Sequence, residues 1–140
     1  MIRRDDGSTL PLVVLFAFLS LALVLIVVAA TSLYLERKRL FTVADGAALV
    51  GAESFDLDDV ELTAAGYRPT LDDAAVAASV DSYLAGVNDF TELEVEEAGT
   101  MDGRSATVTL SAFWRPPLLT VLLPDGVRIE VTAVARSVFG

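Results

Sequence analysis

The stretch Leu10–Leu33, LPLVVLFAFLSLALVLIVVAATSL, decides how this chain is read. Its 24 residues carry no charge, and only Pro11, Ser20, Thr31 and Ser32 interrupt the apolar run. The nearest charges are Asp6 before it and Glu36 after it. As an α-helix the stretch is about 36 Å long, against about 30 Å of bilayer hydrocarbon. It is therefore expected to span a membrane once, with some tilt. The competing reading is a buried core helix, but the rest of a 140-residue chain is too small to cover an all-round apolar helix. A cleavable leader is the other rival. Its apolar region would run to only about 7–15 residues, and Asp5 and Asp6 offset Arg3 and Arg4 at the start.

Composition supports the same reading. Apolar residues make up 54% of the chain, and the mean hydropathy is +0.56. The net charge is −10, which disfavours a polyanionic partner, so no nucleic acid is expected. With no Cys and no His, disulfides, thiol nucleophiles, thiolate or imidazole metal sites and His-based acid–base chemistry are excluded. Charge encodes orientation weakly, since Arg3 and Arg4 precede the span and Arg37, Lys38 and Arg39 follow it. Residues 40–140 hold 17 acids and five bases, which hints that this part faces outward.

After the span, Leu33 to Phe55 contains no Pro. Tyr34, Phe41, Ala44, Ala48, Ala52 and Phe55 recur at helical spacing, which predicts one continuous helix from about Pro11 to Phe55 with this stripe packed on a small domain. Pro11 is expected in its first turn, where a missing N–H is harmless. The acids of Asp56-Leu57-Asp58-Asp59-Val60-Glu61 lack the Gly and Glu spacing of a calcium loop, so residues 56–69 read as a solvated loop and no metal is expected. Thr70-Leu71-Asp72-Asp73 opens a second helix, with Thr70 as cap and Asp73 at the capping-box position. Val76, Val80, Tyr83, Leu84 and Val87 form its apolar face, and Gly86 and Asn88 mark its end.

The last third alternates like strands. Glu92–Glu96 is one, Met101–Arg104 a turn, and Ala106, Val108, Leu110, Ala112 and Trp114 the inward face of a second. Pro116-Pro117 breaks that strand, and Leu118–Leu123 is a short apolar link. Pro124-Asp125-Gly126 is a turn before a third strand through Val127, Ile129, Val131, Ala133 and Ala135. The fold class expected is α+β: a long N-terminal transmembrane helix running into a small domain with a second helix and a three-stranded antiparallel sheet. The divisions expected are a stub at 1–9, the span at 10–35, its extramembrane continuation at 36–55 and an α+β domain at 56–140.

Three segments carry a family resemblance: Arg4-Asp5-Asp6-Gly7-Ser8 before the apolar helix, Tyr34-Leu35-Glu36-Arg37-Lys38-Arg39-Leu40 after it, and Val43-Ala44-Asp45-Gly46-Ala47-Ala48-Leu49. Together they resemble the TadE/TadG-like minor pilins, or pseudopilins, of the Tad (tight adherence, or Flp) pilus. The resemblance implies a type IV pilin-like fold, a cytoplasmic N-terminus and a C-terminal domain outside the membrane. It implies as partners the membrane lipid, the major Flp pilin, sister minor pilins, the pilus platform protein and, indirectly, the assembly ATPase. It also places prepilin-peptidase cleavage between Gly7 and Ser8. The family carries Glu at the fifth position after the cut, where this chain has Leu12, next to Pro11.

The function expected is structural, with no cofactor and no catalysis. The helix would leave lipid and pack against other subunits, with small residues such as Ala17, Ser20 and Ala29 permitting close approach. Pro11, Leu12, Tyr34, Phe41, Asp45 and Ala48 complete the candidate packing set, with Asp45 placed either to pair with Lys38 two turns earlier or to cap a neighbouring element. The Trp114 region and the hairpin edges are further contact candidates. The alternative is a bitopic accessory subunit of a secretion or envelope complex, binding protein partners or cell-wall polymer without entering a filament. An enzyme is disfavoured, because adjacent acids such as Asp58/Asp59 or Asp72/Asp73 do not make a spaced catalytic pair.

Overall fold

The computed structural model describes residues 6–54, 60–63, 66–116 and 124–136. Helix α1, Asp6–Ala52, is continuous over 47 residues. It begins upstream of the expected start, so Pro11 lies inside it. Pro11 has no N–H to give the Gly7 carbonyl one turn back, and the ladder lacks a rung there. At the other end Ser54 closes the helix, with its backbone N–H and its hydroxyl both donating to the Gly51 carbonyl.

Strands β1 (Val60–Thr63) and β2 (Gly66–Pro69) pair as an antiparallel hairpin, with Glu61 opposite Arg68 and Leu62 opposite Tyr67. This corrects the expected loop over 56–69. Each strand is only four residues long, too short for alternation to show against the flanking acids and Pro69. Phe55 and the acids Asp56, Asp58 and Asp59 lie outside the described residues.

Helix α2, Asp73–Leu84, is capped by Asp72, whose carboxylate accepts from the Ala75 N–H at 3.3 Å. Thr70 is therefore not the cap. Asp73 turns outward instead, and its Oδ1 accepts from the Thr100 N–H at 2.7 Å. Val76 and Val80 are buried and Leu84 is partly so, while Tyr83 stays exposed.

Strands β3 (Thr91–Gly99), β4 (Ser105–Trp114) and β5 (Val127–Arg136) form one antiparallel sheet in the order β3-β4-β5. The β4–β5 register is unbroken from Ser105↔Arg136 to Trp114↔Val127. Strand β3 shifts register twice, between Thr91 and Glu94 and between Val95 and Glu97. The expected inward residues of β4 are all buried, and Ile129, Val131 and Ala133 join them from β5. Both helices cover this inner face: α1 lies over β4 and β5, and α2 beside it towards β3. The turn between β3 and β4 is clamped by Asp102, whose Oδ1 accepts from the N–H groups of Arg104 (2.9 Å) and Ser105 (2.7 Å). Those bonds hold its carboxyl at a pKa of about 2, below the usual 3.8. The turn is tied to the start of α2 by the Leu71 N–H, which donates to the Gly103 carbonyl at 2.8 Å.

Candidate assembly surface

Helix α1 has three zones along its length, and the core decides where each begins. From Leu40 to Ala52 one face is sealed: Leu40, Ala44, Ala47, Ala48 and Ala52 are fully buried. Most of these side chains are small because the helix lies close to its neighbours. At Gly51 an added Cβ would sit 3.0 Å from Val76 Cγ1 on α2 and 3.2 Å from the Ala106 Cβ on β4. Three elements meet at that one missing side chain.

Above this zone is a transition. Ala29 and Leu33 are partly buried against the core. Trp114, at the end of β4, is 8% exposed, and its indole N–H donates to the Ser32 hydroxyl at 3.1 Å. The Trp114 region is thus an anchor of the sheet to the helix. The domain grips α1 from Ala29 downward, five residues earlier than Tyr34, the first residue of the expected packing stripe.

The third zone runs towards the N-terminus. Leu10, Leu12, Val13, Val14, Leu15, Phe16, Phe18 and Leu19 are all more than half exposed, and the exposure of large apolar side chains continues to Val28. The helix is long and apolar enough to cross a membrane, and little of that span is buried within the fold. Thr9–Val28 is about 30 Å of helix, which matches the hydrocarbon thickness.

Beside the sealed face, α1 keeps a second, exposed apolar face. Tyr34 (65% exposed), Leu35, Phe41 and Leu49 lie on it, interspersed with Lys38, Thr42 and Asp45. Tyr34 and Phe41 were expected in the intramolecular stripe, and the structure corrects this. The sheet takes the face of Leu33, Leu40, Ala44, Ala47 and Gly51, turned by part of a helical revolution. The signal was present in the sequence, because the small residues at Ala44, Ala47, Ala48 and Gly51 mark the tighter contact. Asp45 is exposed and forms no ion pair among the described residues, so its expected bond to Lys38 is absent.

The candidate packing set therefore divides. Pro11, Leu12, Ala17, Ser20, Tyr34, Phe41 and Asp45 are exposed and accessible to a partner helix. Ala48 is enclosed in the subunit's own core, and Ala29 is partly so; neither belongs to an outward face. Gly7 and Ser8 lie in the first turns of α1. Sequence reasoning missed Leu35 and Leu49, whose exposure follows from the rotated stripe.

Residues 7–54 match the family model for Flp pilus-assembly, TadE/G-like. Over this stretch the chain is similar to TadE/G-like pilus-assembly proteins. The limits of the match nearly coincide with those of α1, from the first turn to the closing bonds of Ser54. The TadE/G-like segment covers about a third of the chain, and the sheet lies wholly beyond it. No curated protein and no solved structure is significantly similar to this chain. The family is one of pilus assembly and not of catalysis, and it fits a subunit that meets other pilus components at the membrane.

The outer face of the sheet is polar. Glu96 sits at the second register shift of β3, where its Oε1 accepts from the Ser111 hydroxyl at 2.7 Å and from Arg128 Nη2 at 2.6 Å. Both bonds hold the Glu96 carboxyl below its usual range, the one from Ser111 foremost. Arg128 also meets Glu130 at 3.3 Å, and Thr109 and Thr132 share a hydroxyl bond of 2.8 Å. No group of His, Cys, Asp and Glu that could hold a metal occurs among the described residues.

Proposed function

We propose that this chain is a minor pilin or pseudopilin of a Tad/Flp-type pilus. Thr9–Val28 holds it in the bilayer, its N-terminus is cytoplasmic, and the α+β domain stands outside. The observation that carries the reading is the two-faced α1: one face is sealed by the domain, and the other is left apolar through Tyr34, Leu35, Phe41 and Leu49. In the bilayer that second face lies just below the span. In an assembly it meets helices of the major pilin and sister minor pilins, while the platform protein and its ATPase supply the work of extraction. External work is needed because lipid tails and neighbouring helices are about equally apolar.

Cleavage between Gly7 and Ser8 belongs to the same proposal. Gly costs a helix about 1 kcal/mol, and Pro about 3. With the rung between Pro11 and Gly7 missing, the first turns open readily to a peptidase.

The test is site-specific photo-crosslinking from residue 35, 41 or 49 in assembling cells, with N-terminal mass spectrometry of sheared filaments. Adducts to pilin subunits from these three positions, and none from position 48, support the proposal. Filaments free of the chain, with no adduct from any of the three, refute it. Leu12 favours a second reading, since the carboxylate that the family places there is missing. In that reading the subunit is a bitopic accessory that stays in the membrane, and the crosslinks go to platform components only.

A further inference from the structure

Below the transition zone, α1 and the edge of β5 enclose an open cleft of about 500 Å³, lined by Tyr34, Arg37, Lys38, Phe41, Glu130, Val131 and Thr132. Its two cations differ from their neighbour. Arg39 is engaged by Glu36 at 3.5 Å and Asp89 at 3.9 Å, and it stacks over the Phe90 ring. Arg37 and Lys38 form no ion pair among the described residues, and both are exposed. Glu130, the one acid on the wall, is paired with Arg128.

The height of the cleft follows from the helix. With the hydrocarbon ending near Val28, the Cα atoms of Arg37 and Lys38 lie about 14–15 Å further along the axis at 1.5 Å per residue. Headgroup layers add roughly 5–8 Å on each side of the hydrocarbon. Helical Cα–Cβ bonds tilt towards the N-terminus, so both long side chains, about 6–7 Å in reach, snorkel back towards the span and meet the outer edge of that layer. Tyr34 is one turn nearer the lipid, where an amphipathic ring sits well.

We propose that this cleft binds the headgroup phosphate of an anionic phospholipid. The Arg37 guanidinium donates two N–H bonds to phosphate oxygens, Lys38 adds a point charge, and the Tyr34 hydroxyl donates a further bond. Phe41 and Val131 form the wall of the cleft on the side away from the membrane. Charge balance argues for a local site over a diffuse one. Residues 40–140 are net −12 and are repelled as a body by an anionic surface, so only a focused cation pair brings that surface close. The proposal rests on reading Thr9–Val28 as the span.

The test uses the full chain in lipid nanodiscs holding equal phosphatidylglycerol and phosphatidylcholine, with retained lipid counted by native mass spectrometry. The wild type is expected to retain phosphatidylglycerol with roughly a ten- to thirty-fold preference, as two cations near a headgroup allow. The double variant R37Q/K38Q is expected to lose that preference, and the control R104Q/R136Q to keep it. Equal retention of both lipids by the wild type, or an unchanged preference in R37Q/K38Q, overturns the proposal. So does full competition by inorganic phosphate, which would make free phosphate the ligand. A dimer that dissolves in R37Q/K38Q without any lipid preference also overturns it, in favour of a second copy's acidic surface. Quenching of Trp114 by labelled lipid in the same discs separates the two levels: with quenching present, a failed preference removes the headgroup site alone, whereas its absence removes the span as well.

Discussion

Asp102 is the residue with the most to lose on acidification. Its carboxylate accepts the backbone N–H groups of Arg104 and Ser105, and the pKa is held at about 2. A depressed folded-state value contributes stability above the unfolded pKa, and that contribution fades as pH falls from about 4 towards 2. The turn between β3 and β4 should therefore loosen over that window. NMR titration of the Asp102 carboxyl in micelles should give a midpoint well under 3.8, with amide exchange at Ser105 rising in parallel. The two helical glycines facing neighbours should respond in opposite ways. A Cβ at Gly46 meets the hydroxyl end of Tyr83, an exposed side chain that can swing aside. Gly46→Ala should thus gain up to about 1 kcal/mol of helix propensity. Gly51 faces Val76 and Ala106 in the core, so Gly51→Leu should lose about 1–3 kcal/mol by overpacking. Denaturant unfolding of both variants decides the pair. The sealed face of α1 was legible in its small residues but not in its apolar periodicity, which marks a stripe without saying which of two stripes the sheet covers.

At the scale of elements, the α1–sheet contact rests on Leu40 and on Trp114. Leu40 is fully buried, and Leu40→Ala should cost about 2–5 kcal/mol. The loss should appear in the unfolding of the sheet while far-UV dichroism keeps the helical signal of the span. Trp114→Phe keeps most of the ring's packing and deletes the bond to Ser32, so it should cost only about 0.5–1.5 kcal/mol. The strands β4 and β5 were readable because alternation over ten residues is unambiguous. Ser111 and Thr109 of β4 are buried on the opposite side too, which alternation alone did not show. Their cover comes from Glu96, Arg128 and Thr132, long-range partners that no local pattern names. The β1–β2 hairpin was missed for the complementary reason: four-residue strands carry too few positions for a period. The cap of α2 is Asp72 and not Thr70, and Asp73 leaves the capping-box role for Thr100, a contact 27 residues away.

The whole molecule is a greasy rod with an acidic head gripping its lower half. The rod was plain from the uncharged interval between Asp6 and Glu36. Where the head takes hold was not, because the Trp114–Ser32 bond joins residues 82 apart. That bond sets the distance between head and proposed span: with Thr9–Val28 in lipid, as proposed, the domain begins at the bilayer surface. The chain has a single Trp, so its fluorescence reports one position. The most direct measurement is quenching of Trp114 in vesicles by lipids labelled at the headgroup, at shallow acyl carbons or near the chain ends. Strongest quenching is expected from headgroup and shallow labels, with little from deep ones. Quenching by none of the three, or strongest by the deepest, would contradict this placement of the domain.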